Sequence, residues 1–84
     1  MFRIEFLPNA QRALRAMPRN TRELILSKIE ALALAPFDSP NVRKLEGRDG
    51  WRLRVVAWRV IYMIDATRQL IVVLTIAIRG EAYR

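Results

Sequence analysis

The sequence predicts an α+β domain: a mostly antiparallel sheet with a helical hairpin packed on one face. Three observations lead there. Hydrophobic residues alternate at the N-terminus, recur at helical spacing in two segments parted by Pro18, and return to strand-like runs between Trp51 and Ile78. The implied order is β-α-α-β-β-β, in a single domain over residues 1–84.

Phe2, Ile4 and Phe6 alternate with Arg3 and Glu5, the pattern of a half-buried first strand. Pro8 stops that strand and suits the first position of a helix, where its missing N–H costs nothing. Ala10, Ala13, Leu14 and Met17 then form a helical stripe, which Pro18 ends. Asn20 followed by Glu23 resembles a capping box. A second helix is therefore expected from about Thr21 to Ala35, burying Ile25, Ile29, Leu32 and Ala33 before Pro36 closes it. The stretch Pro36–Gly50, with two prolines and two glycines, reads as one long irregular segment. Asp65–Gln69 is a polar turn, and the nearly uninterrupted LIVVLTIAI of Leu70–Ile78 suits a central strand covered on both faces. The tail Arg79–Arg84 is short and polar.

The most informative stretch is Trp51–Tyr62 (WRLRVVAWRVIY). Through Ile64 it is too long for one ordinary strand of about 5–6 residues. A two-residue turn at Val56-Ala57 pairs Val55 with Trp58, Arg54 with Arg59, Leu53 with Val60, and Trp51 with Tyr62. Side chains alternate faces along a strand. One face then carries Trp51, Leu53, Val55, Trp58, Val60 and Tyr62, a core face; the other carries Arg52, Arg54 and Arg59. Like charges directly opposite each other destabilise a sheet, so this face reads as a receptor for something anionic. Val-Ala lacks the Gly, Asn or Asp that two-residue hairpin turns prefer.

Composition narrows the partner. The formal net charge is +7 and the pI about 11.3. Thirteen of the fifteen basic residues are arginine, the side chain suited to bidentate phosphate recognition. The excess gathers at Arg43, Lys44, Arg48, Arg52, Arg54 and Arg59, set against Glu46 and Asp49. Nucleic acid is the leading partner and an acidic protein the second. With no cysteine there is neither a disulfide framework nor a thiolate metal site, and with no histidine the usual general base is missing. Asp38, Glu46, Asp49 and Asp65 show no metal-ligand spacing, so neither metal nor cofactor is expected. The most apolar run falls far short of the ~20 residues that span a bilayer, and no signal peptide is visible. A soluble, cytoplasmic protein with no membrane partner is expected.

KLEG at Lys44–Gly47, WRLRV at Trp51–Val55, WRVIYMID at Trp58–Asp65 and the ending IRGEAYR together resemble the RelE/ParE superfamily of bacterial toxins, closest to the RelE branch. The resemblance covers Phe2 to Arg84 and implies a RelE-like fold, a cognate antitoxin, and messenger RNA on the 70S ribosome as target. It places Arg52, Arg54, Arg59, Arg79 and Tyr83 as catalytic residues. Arg43, Lys44 and Arg48 are added as RNA- or phosphate-binding residues. Many relatives carry Gly-Asp where this chain has Val56-Ala57, and Gly-His where it has Ala77-Ile78; Gly80 stands at a position often basic. ParE-like members share the fold but poison DNA gyrase, and an inactive antitoxin-binding module is a third reading.

Metal-independent RNA cleavage requires the 2′-hydroxyl to attack the adjacent phosphorus, with a base for its proton, cations for the crowded phosphorane and a proton for the leaving 5′-oxygen. Arginine serves the cationic role but stays protonated, since its pKa exceeds ~12. Tyr83 is the expected base, with Arg59 and Arg79 on the scissile phosphate and Arg52 and Arg54 on phosphate and proton donation.

Overall fold

In the computed structural model, which describes residues 1–78, the chain runs β1 (Arg3–Phe6), α1 (Pro8–Ala16), α2 (Arg19–Leu32), β2 (Val42–Lys44), β3 (Trp51–Val55), β4 (Trp58–Asp65) and β5 (Leu70–Ile78). The strands form one five-stranded sheet in the order β1-β5-β4-β3-β2. Only the β1–β5 pair is parallel; the other three are antiparallel. The α+β class and all six expected elements are present, and β5 sits between β1 and β4 as a central strand should.

One strand was not expected. Val42–Lys44, inside the stretch read as irregular, pairs with β3 as an edge strand, Val42 opposite Leu53 and Arg43 opposite Arg52. Pairing is favourable because Val42 packs against the main core. The second helix also differs from expectation. It starts at Arg19 after an extended Pro18 (ψ 151°) and ends at Leu32. Asn20 therefore lies inside the first turn, where its Oδ1 accepts the Thr21 N–H at 2.9 Å, and no capping box forms. Glu23 pairs instead with Arg19, also at 2.9 Å.

Arg22 joins the two helices. Its Nε donates to the Leu14 carbonyl at 2.9 Å and an Nη to the Met17 carbonyl at 3.2 Å. A fixed cation thus satisfies carbonyls that the end of α1 leaves open, where the helix dipole also favours positive charge. The main core lies between this helical hairpin and the sheet: Ala10, Leu14, Ile25, Ile29 and Leu32 meet Leu53, Val60, Tyr62, Ile71 and Val73. A second, smaller cluster lies elsewhere, with Leu45 and Ile61 buried against Leu74 and Ala77. Ile61 stands opposite Arg52, so this cluster occupies the sheet face away from the helices. Among the described residues no helix is long and apolar enough to cross a membrane.

Candidate nucleic-acid interface

The hairpin forms in the expected register. Val55 faces Trp58, Arg54 faces Arg59, Leu53 faces Val60 and Trp51 faces Tyr62 across the β3–β4 ladder. Leu53, Val55, Val60 and Tyr62 are buried and the two tryptophans half-buried, all within or against the main core. Alternation turns Arg52, Arg54 and Arg59 to the opposite face. The connecting turn is strained. Val56, 80% exposed, has φ +55°, a left-handed conformation that a β-branched side chain rarely adopts.

The edge strand adds a fourth arginine to this face. Arg43 stands opposite Arg52, as Arg54 stands opposite Arg59. Two like-charged cross-strand pairs thus share one strand, offset along it by two residues, or about 6.5–7 Å. With Asn41 and Val42, these four arginines line an open basin of about 460 Å³. Asn41 holds its place through backbone geometry: its φ is +66° and its carbonyl accepts the Arg54 N–H at 3.0 Å. Arg54 is exposed and Arg59 half-buried, with its Nε out of reach of solvent. Packing therefore limits where the Arg59 guanidinium can go, which suits a cation that must be in position before an anion arrives.

A second basin, about 650 Å³, adjoins the first and is bounded by Arg43, Lys44, Leu45, Glu46, Arg48 and Arg52. Its wall is the loop that runs from Leu45 to Gly50, closed by a Leu45 N–H bond to the Gly50 carbonyl at 3.0 Å. Gly50 is required there. Its φ is +122°, and a Cβ would come within 3.2–3.3 Å of Leu45, Met63 and the Tyr62 carbonyl. Lys44 and Arg48 both border this basin. Lys44 stands opposite Trp51, so alternation gives its side chain the helix side of the sheet edge rather than the face of the arginines.

The hairpin and the edge strand thus bring together Arg43, Arg52, Arg54 and Arg59, with Lys44 and Arg48 beside them. Arg79 and Tyr83 lie outside the described residues. Asn41 was missed by sequence reasoning; its one signal is the sequence Pro40-Asn41 before an alternating Val42-Arg43, too short to read as strand. The other tyrosine is excluded as a base. Tyr62 is fully buried on the helix face, its OH donating to the Pro36 carbonyl over a long 3.4 Å, and burial pushes its pKa well above the ordinary phenol range.

Fold and face define the class: a small α+β protein whose sheet carries helices on one side and an arginine cluster on the other. The model of the ParE toxin of type II toxin–antitoxin systems matches residues 4–83, and the chain belongs to that family, within the RelE/ParE superfamily. No curated protein sequence matches the chain. Among solved structures, the archaeal RelE–RelB complex from Pyrococcus horikoshii OT3 contains a chain 28% identical, with 96% of this chain and 98% of that chain covered at TM-score 0.83. The intact Escherichia coli RelBE toxin–antitoxin complex contains a chain 18% identical, covering 95% and 99% at TM-score 0.82. The YoeB/ParE toxin from Agrobacterium tumefaciens is 15% identical, covering 93% and 99% at TM-score 0.80. At the latter two identities the likeness is one of fold. The protein is a type II toxin of the RelE/ParE superfamily.

Proposed function

We propose that this toxin is a ribosome-dependent messenger-RNA endoribonuclease that cuts in the A site and is silenced by a cognate antitoxin. The observation that carries the reading is the doubled like-charge pairing, Arg43 with Arg52 and Arg54 with Arg59. A sheet gains nothing from opposing arginines, whereas a phosphodiester between them relieves the repulsion and is held from several sides. Arg59, restrained by packing, and Arg79 bear on the scissile phosphate, while Arg52 and Arg54 stabilise the phosphorane and orient the solvent water that gives its proton to the leaving 5′-oxygen. Tyr83 takes the 2′-hydroxyl proton. With no histidine in the chain and Tyr62 in the core, it is the tyrosine left for that role. An open basin positions a loose strand poorly, so the ribosome supplies the alignment. The antitoxin partner is supported by the RelE–RelB and RelBE complexes among the similar structures.

Primer extension on messenger RNA in 70S initiation complexes tests this. Cuts are expected at the A-site codon with ribosomes and none on the same RNA alone, and Tyr83→Phe should slow cutting by about 10²–10⁴-fold. Equal cutting by Tyr83→Phe removes that residue from the chemistry. A second reading, gyrase poisoning, is favoured by the ParE family match. It predicts no cuts and a loss of supercoiling by purified gyrase.

A further inference from the structure

The wall of the first basin holds one uncharged amide among its guanidinium groups. Asn41 lines it together with Val42, Arg43, Arg52, Arg54 and Arg59. The β2–β3 register, with Val42 opposite Leu53, carries on one residue past the strand. Asn41 therefore stands beside Arg54, and its carbonyl accepts the Arg54 N–H at 3.0 Å. Arg54 in turn faces Arg59 on β4. Neighbouring strands lie about 4.8 Å apart, which sets the Asn41 backbone about 10 Å from that of Arg59 across one row. We infer that Asn41 reads an adenine base on the nucleotide whose phosphate the arginines hold. The inference rests on the RNA-cleaving reading and names the substrate it favours: a strand with adenine beside the cut.

The donor and acceptor pattern supports it. Arginine only donates, so it bonds to phosphate oxygens or to the N7 and O6 acceptors of guanine, and offers nothing to an exocyclic amino group. The Asn41 amide presents a donor and an acceptor side by side, which matches adenine N7 and N6 in bidentate fashion. Single-stranded RNA exposes these edges on its unstacked bases. The amide is also available. Asn41 is exposed, and among the described residues its side chain enters no hydrogen bond of the protein, unlike Asn20, whose Oδ1 accepts the Thr21 N–H. The backbone fixes its position instead, through φ +66° and the bond to Arg54. A left-handed φ alone accounts for asparagine or glycine alike, since both tolerate it. Only asparagine brings a side-chain acceptor to a basin whose other polar side chains are all cationic.

The test is single-turnover cleavage in 70S complexes of messages that carry adenosine or purine riboside, which lacks the N6 amino group, at each nucleotide flanking the cut. Wild type should cut the adenosine message faster at one of the two positions, by about 5–150-fold, the discrimination of one bidentate pair. Asn41→Gly accepts the φ of +66° at no steric cost and should bring that ratio to about 1; circular dichroism checks folding. Wild type cutting both messages equally at both positions, or a glycine variant that keeps the preference, overturns the inference and leaves the RNA reading standing. A folded glycine variant that cuts neither message also overturns it, because the amide then serves the reaction rather than the choice of base. No cutting of any message by folded wild type removes the RNA reading itself, and the inference with it.

Discussion

Val56 shows at the scale of one residue how the hairpin is made. Its register follows from the core residues on either side, and the turn adapts to it at a cost. An L-residue in the left-handed region is disfavoured by about 1–2 kcal/mol, and a β-branched one is an outlier there. Val56 is 80% exposed and so loses little packing when replaced. Val56→Gly relieves the strain while adding unfolded-state entropy of about 0.5–1 kcal/mol. The expected result is a net gain of about 0.5–1 kcal/mol, read as a higher urea midpoint at unchanged slope. Tyr62 makes a second point. Burial raises its folded pKa, so its contribution to stability is complete below the unfolded value of about 10 and is lost as pH rises from there toward the folded value. Between pH 10 and 11.5 the wild type should lose stability faster than Tyr62→Phe, by up to about 1.4 kcal/mol per pH unit. Parallel alkaline limbs would show that Tyr62 is not the titrating group.

At the scale of elements, the helical hairpin depends on Arg22 and the site on β2. Arg22 is half-buried and makes two charge-assisted bonds to the last carbonyls of α1. Arg22→Ala leaves both carbonyls unpaired and should cost about 1.5–3 kcal/mol in urea unfolding. A loss below about 0.5 kcal/mol would mean water replaces the guanidinium without penalty. The hairpin register was legible because period-two alternation left one arrangement with every large apolar side chain on one face, and Arg54 and Arg59 followed from it. The helix start was not. Asn20 and Glu23 have the spacing of a cap, but Pro18, fixed near φ −57°, already provides the extended residue before the first turn. β2 was illegible for another reason. Three residues are too few for alternation to show, and what makes them a strand is the open edge of β3, a tertiary fact.

The whole molecule separates stability from function by face. Among the described residues, the helix side of the sheet holds the main core, whereas the other side holds the small Leu45–Ile61 cluster and, beside it, the arginines. This division was readable in outline from a chain that mixes 52% hydrophobic residues with a net charge of +7. The doubling of the basin was not readable, since it depends on β2 placing Arg43 beside Arg52 and on Gly50 closing the loop that carries Arg48. The family match and the fold agree on a toxin, and the arginine face is what the proposed RNA-cleaving function rests on. The most direct measurement is therefore the single-turnover rate of A-site cleavage in 70S complexes by wild type and by Arg54→Ala, an exposed change that spares the core. Removing one positioned cation from the phosphate should slow cleavage by about 10²-fold while the variant folds and occupies the ribosome. Cleavage by the folded variant at the wild-type rate would contradict the assignment of this face to the reaction.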